Sequence, residues 1–268
     1  MLGTAATPRR TRARAGLTAL IFGLALAAVG APSISRAAAA APPETAATPA
    51  LPHDAADEPE PFARPTSEVG EGPLTEKWLA VRHSTDAELG VVALCRLDLA
   101  LCPSPAAIEF LAIVERARQR EGLARVGEIN RAINLDIRPV ADIDLYKVED
   151  FWSSPLMTLT AGAGDCEDYA IAKFVALREA GVAPADLRLV ILRDARLQAD
   201  HAVVAVRIEH RWRILDSRRL AMLDDMQFIR FQGMSHFEPV FSIGDTGIRR
   251  YDGNAVVAAT AAPQPPLF

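Results

Sequence analysis

Three side chains have the types and the chain order of a thiol-based acyl-transfer site: Cys166 in "GAGDCEDYA", His201 in "DHAVVAV" and Asp216 in "WRILDS". A cysteine attacks carbonyl carbon as the thiolate, and it needs a base and a group that orients the base. The neighbours of Cys166 oppose that chemistry. Asp165, Glu167 and Asp168 put negative charge beside the sulfur, which disfavours the thiolate. Either the thiol is inert and the acids serve a helix terminus, or something offsets their charge. A first-turn position would help the nucleophile, because a helix N-terminus carries partial positive charge. Gly162 and Gly164 would let the backbone come close to a substrate.

The surrounding pattern supplies elements to hold these groups. "CEDYAIAKFVALREAG" has helical periodicity, with Tyr169, Ala170, Phe174 and Leu177 inward, Lys173 opposite and Gly181 at the C-cap. Three strand-like runs follow at 187–192, 201–206 and 211–216. A four-residue connection, Arg207 to His210, would pair Val206 with Arg211 and bring His201 directly opposite Asp216. Opposite residues share a face. That face also carries Val203, Ala205, Trp212 and Ile214, and is expected to pack on the Cys166 helix. Upstream, Ser104-Pro105 opens a helix with Ile108, Leu111, Ala112, Ile113 and Val114 on its apolar side. Val126, Ile129, Ile133 and Leu135 mark another, which Pro139 ends. Helices followed by consecutive strands indicate an α+β domain with a largely antiparallel sheet.

Composition bounds the setting. The chain has 268 residues and a formal net charge of −5, with half its residues hydrophobic. Arg9, Arg10, Arg12 and Arg14 precede "AGLTALIFGLALAAVGA" and then small residues, the pattern of a secretory signal over 1–38. The alternative is an uncleaved anchor, although the apolar run is short for a span of about 20 residues. Cleavage near Ala38 would remove five arginines, these four and Arg36, and take the charge from −5 to −10. That excludes the basic footprint nucleic acid requires. Residues 39–72, rich in Ala, Pro and acids, read as a disordered tether, 73–252 as the folded domain and 253–268 as a disordered tail. In an exported chain Cys95 and Cys102 form a plausible disulfide, the alternative being two buried apolar residues. Cys166 is then the odd thiol.

The stretches "GAGDCEDYAIAKFVALREAGV", "DHAVVAV" and "WRILDS", with "INRAIN" and "DIDLYKVEDFWSSPLMTL" upstream, resemble the bacterial transglutaminase-like cysteine proteinase family of LapG-like periplasmic proteases. The similarity runs from about Leu74 to Tyr251, and "GDCED" is its most specific part. It implies a papain-like, transglutaminase-type fold with Cys166 as nucleophile, His201 as base and Asp216 as orienting acid. One departure is Ser217 after Asp216, where many relatives have Asn. The resemblance also implies calcium held by Asp165, Glu167 and Asp168, hard oxygen donors of the kind the ion prefers. A dication there would offset the charge that opposes the thiolate. The acids have a plain structural reading as well: Asp165 caps the helix and Asp168 is the far half of a capping box. The expected function is an exported thiol peptidase acting on a protein of the cell envelope, such as a biofilm adhesin, with a membrane-bound regulatory protein as partner. The rivals are a transglutaminase-type acyl transferase and a non-catalytic cell-envelope binding module. Trp152 reads as core before cleft lining. Asn130 and Asn134 share a helix face and read as solvated.

Overall fold

In the computed structural model, residues 60–230 and 236–253 are described. The expected signal over 1–38, the tether before residue 60 and the tail after 253 lie outside the described residues. Among the described residues no helix is long and apolar enough to cross a membrane.

Helices come first, as the pattern predicts: α1 (Pro73–Leu97), α2 (Pro105–Arg118), α3 (Gly122–Asp136), the short α4 (Asp142–Leu145), α5 (Pro155–Ala161) and α6 (Cys166–Glu179). The Ser104 hydroxyl accepts the Ala107 amide at 3.2 Å and Pro105 occupies the first turn, so α2 starts where the cap signal falls. Phe110, Leu111, Ile113 and Val114 are buried, whereas Ile108 and Ala112 face outward. In α3, Val126, Ile129 and Ile133 point inward and Leu135 does not. Cys95 and Cys102 form a disulfide tying the end of α1 to the turn before α2.

The helix α6 corrects the amphipathic expectation. Every residue from Cys166 through Leu177 is buried, Lys173 included. A helix buried nearly all round is one enclosed by protein, and its polar residues are taken in with the apolar ones. Its core cluster joins Trp78 and Val81 of α1, Phe110 of α2 and Ile129 of α3 to residues of the main sheet, and Trp78 meets Phe174 edge-on at 5.6 Å. The nucleophile candidate thus sits at the head of the central, best-anchored helix.

The seven-stranded antiparallel sheet has the order β1-β9-β8-β4-β5-β6-β7, from β1 (Thr66–Glu68), β4 (Leu187–Asp194), β5 (Ala199–Ile208), β6 (Arg211–Leu215), β7 (Leu223–Asp224), β8 (Phe237–Gly244) and β9 (Gly247–Tyr251). A separate parallel pair joins β2 (Arg138–Pro139) to β3 (Ala163–Gly164). The last helix, α7 (Asp225–Arg230), follows β7.

The β5–β6 register differs from the expected one. Ile208 pairs with Arg211 and Val204 with Leu215, so the connection is the two residues Glu209 and His210. Both take positive φ, 50° and 63°, as the tightest hairpin turns require. Those turns usually carry Asn-Gly, which is why Glu-His gave no turn signal. The slip is two residues, an even number, so side chains keep their faces. The packing partner of that face is different, however. Val203, Ala205, Trp212 and Ile214 cluster with Phe62, Phe228, Phe237 and Tyr251. Helix α6 packs with the residues of the other face, including Ala202, Val204, Val206 and Leu215.

Residues 60–72 belong to the fold, a correction to the tether boundary. Phe62 is buried in the second cluster and its amide donates to Asp225 at 2.6 Å. Strand β1 then pairs with β9 at the sheet edge. Burial of one aromatic contributes about 1.5–3 kcal/mol, and the Phe62–Asp225 hydrogen bond and the β1–β9 ladder add to it in holding a segment whose average composition reads as disordered.

Candidate active site

The head of α6 is built by local packing. Helix α5 ends at Gly162 in the left-handed region, φ 56° and ψ 24°. Strand β3 follows, and the amides of Arg138 and Val140 bond the carbonyls of Gly162 and Gly164 at 3.0 Å. A Cβ on Gly164 would stand 2.7 Å from the Cβ of Asp168. Glycine is required there so that the strand can pass against the helix start. On α1, Glu88 accepts the Leu156 amide at 2.8 Å and the Met157 amide at 3.1 Å, capping α5 and fixing the preceding turn.

Asp168 serves that turn. Its Oδ1 accepts the Ser153 amide at 2.9 Å and the Ser153 hydroxyl at 2.6 Å, and its Oδ2 accepts the Asp165 amide at 3.3 Å, the far half of the capping box. These bonds engage the side chain expected as a metal ligand. The carboxylates that converge are Asp142, Asp165 and Glu167, all buried, with one oxygen from each within 4.8 Å of the others. Asp142 lies outside the quoted motif, and nothing local in "DIDL" marks it; only the β2–β3 pairing and α4 bring it to the site. Its Oδ2 accepts the Phe151 amide, while its Oδ1, like Asp165 Oδ1, is buried without a hydrogen bond. Burial, followed by the charge of Glu167, pushes the Asp165 carboxyl far above the carboxylate range. Burial raises Asp142 to about 6 and Asp168 to about 7. Hard oxygen donors, orphaned oxygens and mutual repulsion together fit a divalent cation such as calcium.

Cys166 is the free cysteine among the described residues, and it is buried. Its thiol donates to Glu167 Oε2 at 3.1 Å, and its sulfur accepts the backbone amide of Ala202. Burial, then the charges of Glu167 and Asp165, push the thiol pKa well up. The opposition between acids and thiolate, visible in the sequence, is therefore real in the fold.

The Ala202 contact brings the sulfur to β5 beside His201. His201 Nε2 lies 2.9 Å from Asp216 Oδ1, with both side chains fully buried. Burial tends to raise Asp216, but the charge and hydrogen bond of His201, with the Arg218 amide, hold its carboxyl well below the usual range. A carboxylate only accepts, so Nε2 carries the hydrogen. His201 Nδ1 is buried and makes no hydrogen bond. The imidazole stacks on Phe237 with centroids 5.5 Å apart, and the Arg218 guanidinium lies 5.9 Å over the same ring. Lys173, on α6, is fully buried with an Nζ that makes no hydrogen bond; burial lowers its pKa to about 7 against the opposing pull of Asp216. Trp152 is half-buried at the edge of the main core, with Lys77 Nζ 5.4 Å over its ring.

A cysteine heading a central helix, packed on an antiparallel sheet that carries an imidazole, with a carboxylate just past a strand end, is the architecture of the papain-like, transglutaminase-type fold. Residues 82–242 match the family described as bacterial transglutaminase-like cysteine proteinase, and the chain belongs to that family; it is a cysteine peptidase. Among solved structures, Legionella pneumophila LapG is 22% identical, with 62% of this chain and 89% of that one covered and a TM-score of 0.47. The same protein in calcium-bound form is 20% identical, covering 65% and 93%, also at 0.47. No curated protein matches.

Proposed function

We propose that this chain is an exported thiol peptidase that cleaves a protein substrate with Cys166, His201 and Asp216. The observation that carries the reading is the fully buried His201–Asp216 hydrogen bond of 2.9 Å, on an imidazole whose Nδ1 is uncommitted beside the strand residue that binds the Cys166 sulfur. Nδ1 takes the thiol proton. The thiolate attacks a backbone carbonyl and a thioester forms as the peptide C–N bond breaks. The imidazolium gives its proton to the leaving amine. Water, deprotonated by the same nitrogen, then hydrolyses the thioester. Asp216 holds the ring and stabilises its charged form. The backbone N–H of Cys166, at the head of α6, would donate to the oxyanion.

Asp142, Asp165 and Glu167 would hold calcium. The ion supplies positive charge that offsets the carboxylates beside the sulfur. Asp168 keeps its structural bonds. The predicted signal over 1–38 supports a periplasmic location. The substrate is a cell-envelope protein, an adhesin being the candidate the family resemblance suggests, and a membrane-bound regulatory protein is the matching partner.

The test is alkylation of the exported protein with iodoacetamide, with calcium and with chelator, and mass-spectrometric mapping of the label. Fast modification of Cys166, slowed by chelator and by His201→Ala, is expected. Cys166→Ala should lower peptide hydrolysis by about 10³-fold or more. Full retained activity in that variant would sink the scheme. Product analysis with a primary amine present separates hydrolysis from acyl transfer, and absence of labelling would favour a binding module.

A further inference from the structure

The peptide that carries Asp216 lies beyond the sheet. The β5–β6 ladder ends at Val204–Leu215, so no strand hydrogen bond fixes Asp216 although its carboxylate must meet His201. From outside its own turn, α3 holds the segment. Asn134 Nδ2 donates to the carbonyls of Asp216 at 3.0 Å and Arg219 at 2.9 Å. One turn earlier, Asn130 Nδ2 donates to the Leu220 carbonyl at 3.0 Å, and Asn130 is completely buried. The two asparagines expected as a solvated face are thus turned inward onto one loop. The Arg218 amide closes the arrangement by donating to Asp216 Oδ1 at 3.0 Å. The Asp216 carbonyl is held by Asn134 from α3 and, at 3.5 Å, by the Arg219 amide; its carboxylate meets the Arg218 amide, His201 and the Arg219 guanidinium.

We infer that Asn134 is a positioning residue for the peptidase: it aims the Asp216 carboxylate at His201 by clamping the backbone on either side of the turn. The inference rests on the proposed role of Asp216. Asn130 Oδ1 and Asn134 Oδ1 are buried without a hydrogen bond, so the two residues are present for their donors. An unbonded buried acceptor is unfavourable in a purely structural contact. A short side chain without an amide removes the donors to both carbonyls and leaves Asp216 O only the longer 3.5 Å bond from the Arg219 amide, so the carboxylate is less firmly aimed.

The experiment reads the hydrogen bond itself. In calcium excess, the buried Nε2–H of His201 gives a far-downfield proton resonance, assigned by its loss in His201→Gln because His236 also faces a carboxylate, Asp194, at 3.2 Å. Asn134→Ala is expected to shift or abolish that resonance and to slow Cys166 alkylation by about 10- to 100-fold, the scale set by a small misplacement of a catalytic group. Ile129→Val, which weakens the same helix by packing alone, should lower thermal stability and keep the resonance. An unchanged resonance and alkylation rate in Asn134→Ala overturns the inference. So does equal loss in Ile129→Val, which would make the effect one of stability. Asp216→Asn is run beside them. If it alkylates like the unaltered protein, the triad reading fails rather than the clamp.

Discussion

Cys166 sits among carboxylates that are buried before they are anything else, and this sets how the site responds to pH. Asp142 and Asp168 have folded-state values of about 6 and about 7 against an ordinary value near 3.8. The folded protein therefore binds protons more tightly than the unfolded chain, and stability falls as pH rises through that window. Asp216 is shifted the other way; its stabilisation is complete above the unfolded value and is lost only as pH falls through the depressed folded one. In chelator, the thermal midpoint is expected to drop between about pH 5 and about pH 7.5. Calcium should restore it at the upper pH and do little at the lower, and Asp142→Asn should remove the calcium response. A chelated protein equally stable at both values would show that these carboxylates carry no such strain. Cys166, His201 and Asp216 stood out as candidates because a nucleophile, a base and an acid have distinctive chemistry. Asp142 was not, since one aspartate in a helical turn looks like any other until the chain folds.

At the scale of elements, the junction of β3 and α6 is the tightest. Gly164→Ala must push Asp168 or the helix start aside, because the new Cβ would fall 2.7 Å from that of Asp168. Overpacking of this kind costs about 1–3 kcal/mol. Urea unfolding should show that loss, with Cys166 alkylation slowed as the helix head shifts; a variant of unaltered stability would mean that the junction yields freely. Helices α2, α3 and α6 announced themselves through caps and periodicity, whereas α1, α4 and α5 were not singled out. Inward and outward faces were readable only in part. Leu135 and Ile108 match the apolar period yet face solvent, and Lys173 breaks it yet is enclosed, because burial follows where neighbouring elements lie.

The whole molecule closes on both faces of its sheet, with α6 and the helical layer on one side and Phe62, Phe228, Phe237 and Tyr251 on the other. The N-terminal strap completes the second cluster. A chain begun at Pro73 should lose the Phe62 packing and the β1–β9 pairing. Phe62→Ala alone should cost about 3–5 kcal/mol, measured as a lowered urea midpoint. A shortened chain as stable as the longer one would return residues 60–72 to the status of a tether. His201 stacks on Phe237 within that same cluster, so loosening the strap should also reach the imidazole.

The sequence by itself determined the α+β class, the helix-then-strand order, the Cys95–Cys102 pair as a disulfide candidate and the three residues proposed for catalysis. Each depends on local periodicity, capping or side-chain chemistry, which are written within a few residues of one another. Tertiary structure alone decided the two-residue β5–β6 turn, which face of β5 meets α6, the place of residues 60–72 in the fold and the convergence of Asp142 on Asp165 and Glu167. It also decided that Asn130 and Asn134 grip the Asp216 loop. Those outcomes rest on contacts between segments far apart in the chain, where burial and hydrogen-bond satisfaction outweigh local propensity.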